Sequence, residues 1–214
     1  MKAHPQGCAL FHMEEKRFMP NNKYLPKQKI RRRHGNEQFI GMDTDLLEFW
    51  EWAHSDIMSN TERGRLAEFI VSKAVGSTSD HRIEWDIYDV KTPDGITIEV
   101  KTSAYLQTWR QTKFSSILFD IAPKREWYDG INQYSNIPKR PAKVYVFCLF
   151  ASKNGLTANP MNLSQWEFYV LSTKMLDQCM PLQKTISLKS LLKLGAHKVD
   201  FDALASSIRA VAEV

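Results

Sequence analysis

The tetrapeptide Thr92-Pro93-Asp94-Gly95 constrains this chain more than any other feature. Proline pre-sets φ at the second turn position, aspartate suits the third, and glycine accepts the left-handed conformation that follows. A type I turn closed by a glycine bulge is the hairpin loop this pattern favours, and it sets a register. Val90 is then expected to face Ile98, Thr92 to face Ile96, and Asp89 to lie across from Glu99. Alternation along each strand sends Tyr88, Val90, Ile98 and Val100 toward a core. Ile87, Asp89, Glu99 and Lys101 are sent to the other face.

Two carboxylates and an ammonium are thus expected to converge on one end of a hairpin whose back is buried. Magnesium takes oxygen ligands, commonly one or two carboxylates completed by water and phosphate oxygens. An ion on Asp89 and Glu99 would polarise a phosphodiester and acidify a bound water, and Lys101 would orient that water or offset developing charge. Without a cation the two acids should repel by roughly 1 kcal/mol or more at ~4–5 Å. A solvated strand with an ordinary Glu-Lys pair is the plain alternative, and Asp86 is a second candidate for the partner of Glu99.

Asp89 followed by nine residues and Glu99-Val100-Lys101 resembles the PD-(D/E)xK, or restriction-endonuclease-like, nuclease superfamily. Upstream, Arg63-Gly64-Arg65-Leu66-Ala67-Glu68 looks like the first-helix segment of that superfamily. Downstream, Gln107 in Tyr105-Leu106-Gln107-Thr108-Trp109 is similar to a glutamine many members carry after the ExK. Tyr88 stands where the motif has proline, a departure many members share. The resemblance implies an α/β fold, a restriction-endonuclease-like core with a central mixed β-sheet flanked by α-helices. It further implies a Mg2+-dependent endonuclease (Mn2+ as the alternative ion) acting on double-stranded DNA, with Asp89 and Glu99 as metal ligands. Lys101, Glu68 and Gln107 are the other catalytic candidates. Restriction or defence against foreign DNA is the implied biology. A structure-selective repair or recombination nuclease, or an inactive nucleic-acid-binding module on the same fold, are the alternatives.

The rest of the chain of 214 residues suits one domain with decoration. Residues 1–42 are expected to form a basic flexible arm and residues 43–214 the nuclease-like domain. Lys16 to Arg33 holds eight Lys or Arg and no acid, ending in Arg31-Arg32-Arg33, which could lie along phosphates. Arg110 and Lys113, just past the hairpin, are further nucleic-acid candidates. So is the segment between Pro123 and Ala142, which carries Lys124, Arg125, Trp127, Tyr128, Tyr134, Lys139 and Arg140. The formal net charge is +5, permitting a polyanionic partner.

Three widely spaced cysteines argue against a disulfide framework or structural zinc, and with no long apolar run the expected location is cytoplasmic, away from membranes. A homodimer is plausible on the ground that cutting two strands takes two sites. Helices are expected from a cap at Asp43 or Thr44 to about His54, and from Ser59 to Gly76 with Leu66, Ala67, Phe69, Ile70, Val71 and Ala74 as its apolar stripe. Strands are expected at Ile117–Ile121, at Val144–Phe150 in the interior, and at Trp166–Leu171. A short helix capped by Thr173 and two closing helices, Ser187–Leu194 and Asp202–Val211, complete the pattern.

Overall fold

A computed structural model describes residues 30–84, 86–125, 127–128 and 133–213. Residues 16–29 of the basic arm lie outside the described residues. One compact unit spans Arg31–Val214. Its helices are α1 (Leu46–His54), α2 (Asn60–Ala74), α3 (Thr173–Cys179), α4 (Leu188–Lys193) and α5 (Phe201–Ala212). Its strands are β1 (Val90–Lys91), β2 (Thr97–Ala104), β3 (Leu118–Asp120), β4 (Trp127–Tyr128), β5 (Gln133–Tyr134), β6 (Val144–Phe150), β7 (Trp166–Ser172), β8 (Thr185–Ser187) and β9 (Lys198–Val199).

The main sheet has five strands in the order β1-β2-β6-β7-β9. It is mixed: β2 runs parallel to β6, and the other neighbours pair antiparallel. The unbroken apolar run of β6 sits at its centre, and all seven residues are buried. Such a strand needs cover on both faces. On one, Ile98, Val100, Val144 and Val146 pack under Ala67, Ile70 and Val71 of α2 and Leu204 and Ile208 of α5. On the other, Tyr145, Phe147 and Leu149 meet Phe119, Ile186, Leu176 and Leu191, from β3, β8, α3 and α4. A fully buried Phe or Leu contributes roughly 1.5–3 kcal/mol, so each layer is a substantial core.

The predicted α/β class with a helix-flanked mixed sheet is therefore what forms. Several local expectations are corrected. Asp45, rather than Asp43 or Thr44, caps α1, accepting from the Glu48 N–H at 3.1 Å. The apolar side predicted for α1 is not buried: none of its residues is, and Leu47 and Phe49 stand 49% and 44% exposed. In α2 the Ser59 cap and the Gly76 terminus stand, the latter at φ +64°, but Phe69 points outward with the Lys73 ammonium over its ring. Ser172 takes the cap of α3 because the hydroxyl of Thr173 is turned to the Ala142 carbonyl. The Ile117–Ile121 alternation is right, with Ile117, Phe119 and Ile121 buried. β3, however, joins β8 in a separate ribbon instead of the main sheet.

The long basic-aromatic segment forms an excursion with pinned feet. Lys124 and Lys139 exchange backbone hydrogen bonds of 2.9 Å, and β4 pairs with β5 beyond them. Arg140, expected among the nucleic-acid candidates, is buried instead. Its guanidinium donates to the Ile121, Met180 and Gln183 carbonyls and to the Asp177 carboxylate. A cation so desolvated is held by four hydrogen bonds to the protein, which commit it to the core rather than to a phosphate.

The turn that organises the hairpin forms as its residues require. The Gly95 N–H donates to the Thr92 carbonyl at 3.0 Å, Thr92 N–H donates to Ile96, and Gly95 sits at φ +93°. A Cβ at Gly95 would meet no atom within 4 Å, so only backbone conformation excludes a side chain there. Gly95→Ala is accordingly expected to lower stability by about 1–2 kcal/mol, and Gly95→Asn by visibly less, since asparagine tolerates positive φ. Chemical denaturation checks this, and equal losses from the two variants would contradict the conformational argument.

Candidate active site

Val90 pairs with Ile98 and Lys91 with Thr97, the register the turn predicts. The ladder stops at Val90. Asp89 is then held by two bonds that straddle Glu99: its N–H donates to the Ile98 carbonyl at 3.0 Å, and its carboxylate accepts the Val100 N–H at 2.7 Å. The side chain thus takes the place a longer first strand would have filled. Asp86 is exposed and binds the backbone N–H of Ile87, so the hairpin brings Asp89, not Asp86, beside Glu99.

Glu99 is more deeply placed than a solvated strand face allows, at 4% exposure. Its face of the sheet is the one covered by the β3 layer, which the hairpin alone could not reveal. Desolvation would make a lone carboxylate there costly. Compensation comes from two ammoniums on the same oxygen: Lys101 Nζ at 2.6 Å and Lys124 Nζ at 2.8 Å from Oε1. Burial works to raise the Glu99 carboxyl, but the two lysines outweigh it and hold it below the ordinary range.

Asp89 has the opposite balance. Burial first, then the Glu99 charge, push its carboxyl up to about 6, against the Val100 N–H, with Glu68 adding to the rise. Among the described residues no cation pairs directly with Asp89. The repulsion expected between the two acids therefore falls on Asp89, while Glu99 is an ion-paired group.

Glu68 lies on α2, close enough to act on Asp89, yet both of its oxygens are taken by Arg82, at 2.5 and 3.1 Å. Gln107 is committed to the loop after β2. Its amide donates to the Ala104 carbonyl and the Ser115 hydroxyl, and its carbonyl accepts from Arg63 at 3.4 Å. Arg63 is itself buried, bonded to the Met58 carbonyl and Asn60, and desolvation lowers its pKa. Gln107 and Arg63 together link α2 to the loop that follows β2. Arg110 and Lys113 are exposed on that loop, which Gln111 braces through the Tyr105 carbonyl and Ser115. Arg31 and Arg33 share the Glu37 carboxylate at 2.7 and 2.8 Å, and Arg32 is exposed.

Lys124 is the residue that reading the sequence missed. It appeared only as one cation in a basic-aromatic segment, 25 residues beyond Glu99. No local pattern joins the two; the layer of strands folded over the sheet does.

Among the described residues no group of three or more His, Cys, Asp or Glu is placed to hold a metal ion. Asp89 and Glu99 nevertheless fit an ion that takes one or two carboxylates and completes its shell with water and phosphate. A half-buried carboxylate with no direct ion pair among the described residues is the observation that fits. Glu68, with both oxygens bound to Arg82, does not fit as a third ligand.

A family model described as bacteriophage T4 endonuclease IV matches residues 11–190. That span contains Glu68, Asp89, Glu99, Lys101, Gln107 and Lys124. No curated protein matches the chain. Among the described residues no helix is long and apolar enough to cross a membrane.

The Asp89 charge should be visible in metal-free stability. A carboxyl raised on folding destabilises the fold progressively as pH climbs from about 4 to about 6, and fully above that. Asp89→Asn keeps an oxygen for the Val100 N–H and removes the charge. In EDTA it is expected to be more stable than the parent by about 1–2 kcal/mol at pH 7, after allowance for partial exposure, and to converge with it below pH ~4. Thermal melts across that range decide it; a difference that does not vary with pH would count against it.

Proposed function

The chain belongs to the bacteriophage T4 endonuclease IV family, and from that premise we propose that it cuts DNA by metal-dependent phosphodiester hydrolysis in the PD-(D/E)xK manner. The observation that carries the reading is the Asp89–Glu99 pair, with Lys101 bonded to Glu99 at 2.6 Å and Asp89 in no direct ion pair among the described residues.

Asp89 and Glu99 would hold the ion, Mg2+ or Mn2+, whose chemistry is to polarise the phosphodiester and lower the pKa of a bound water. The chain's own groups do the rest. Val100 N–H fixes the Asp89 carboxylate at the open end of the hairpin. Lys101, on the strand and only 16% exposed, presents a positive charge beside the reacting phosphate. There it offsets charge that grows as the phosphorane forms, and a preorganised donor of this kind acts without reorganisation cost. The Gln107–Arg63 link keeps β2 in register with α2 while substrate binds. Arg110 and Lys113 are exposed on the next loop, where they can meet backbone phosphates flanking the cut.

Degradation of foreign DNA is the biology this reading favours, on the motif's likeness to restriction-type nucleases. Cutting both strands of a duplex would call for two such sites, so a homodimer belongs to the same reading.

Covalently closed circular DNA, which has no ends, tests the proposal directly. With Mg2+ the protein should open both plasmid and single-stranded circles or one of them; with EDTA it should open neither. Glu99→Gln and Lys101→Met should each lower the rate on the order of 10²–10³-fold or more while DNA is still bound. Cleavage that persists in EDTA, or at the parental rate in Glu99→Gln, would refute it. Cutting confined to branched substrates would make the enzyme a structure-selective nuclease instead.

A further inference from the structure

Lys124 and Lys101 direct two like charges at one oxygen of Glu99, yet they are mounted differently. Lys101 belongs to β2, and its side chain is 16% exposed; the Lys124 side chain is 54% exposed and enters from the opposite layer. The Lys124 backbone is pinned by its bridge to Lys139 and, behind it, by buried Arg140. Only the side chain is free to move. With Glu68 matched by Arg82, the four remaining charged groups, Asp89, Glu99, Lys101 and Lys124, sum to zero without any ion. A divalent cation raises that sum to plus two. A substrate phosphate and an ionised attacking water restore neutrality, and the exposed ammonium is the one able to follow the phosphate.

We infer that Lys124 is a second phosphate-binding cation of the site, capping Glu99 when the site is empty of nucleic acid and turning to the DNA backbone when substrate arrives. The inference rests on Asp89 and Glu99 being the metal pair. It assigns the pinned foot of the β4–β5 excursion a direct part in substrate capture. It also makes Lys124 a competitor of the divalent ion for Glu99.

Two measurements that need no turnover test it. The first is anisotropy of a labelled oligonucleotide with Ca2+ in place of Mg2+ across a salt series, with the parent, Lys124→Met and Lys124→Arg. Lys124→Met should bind roughly fivefold or more weakly, and its slope of log affinity against log salt should fall by about 0.7–0.9, one phosphate contact. Lys124→Arg should keep the parental slope. The second is Mg2+-dependent thermal stabilisation without DNA, where Lys124→Met should respond at a concentration roughly fivefold lower than the parent, its competing cation gone. Should the methionine variant not fold, Lys124→Gln serves both measurements.

An unchanged salt slope in the variant overturns the inference, as does a loss of thermal stability with an unaltered Mg2+ response, which would make Lys124 a brace. The failures are separable. If the parent cuts only with Mg2+ and the slope is unchanged, Lys124 alone is misassigned. If the slope falls while Glu99→Gln cuts at the parental rate, Lys124 still contacts DNA and the metal pair is wrong.

Discussion

The architecture depends on the burial of β6. Seven consecutive apolar residues with no polar alternation cannot face water on either side, so the chain must build two covering layers. α2 and α5 supply one, and β3, β8, α3 and α4 supply the other. The parallel pairing of β2 with β6 then carries Glu99 and Lys101 opposite Tyr145 and Phe147. A carboxylate on that strand inherits the burial its neighbour demands. The site is thus a consequence of the core before it is a device of chemistry.

Once Glu99 is desolvated, its surroundings follow from charge. A buried carboxylate needs cations and good geometry, and two lysines from different layers provide them. Asp89, one residue before the short first strand, receives the Val100 N–H and, among the described residues, no directly paired cation. The two acids are chemically alike and electrostatically unlike. That asymmetry divides the work: Glu99 is held ionised by its lysines, while Asp89 stores an unmet preference for positive charge.

What could be read from the sequence was local, and what could not was the second layer. Thr92-Pro93-Asp94-Gly95 dictated a turn whose register holds at Val90–Ile98 because backbone conformation decides it within a few residues. The interior position of β6 was likewise written in its composition. Caps erred by a residue or two, as at Asp45 and Ser172, where several small polar residues compete for one role. The outward turn of Phe69 and the exposure of α1 depend on neighbours that periodicity does not name. Lys124 and Arg140 come from one basic-aromatic stretch and reach opposite fates, one at the site and one in the core. Composition gives them the same character; only the path of the chain tells them apart.

Arg140 has a consequence for how this molecule can change. Its guanidinium fastens the end of β3 to the C-terminal end of α3 and the stretch before β8, independently of the hairpin that leaves between Lys124 and Lys139. The outgoing and returning strands are clamped at their base. Such a fixture is a socket: the two feet at Lys124 and Lys139 are set by the layer that carries Arg140, and the strands that leave from them start from a fixed base.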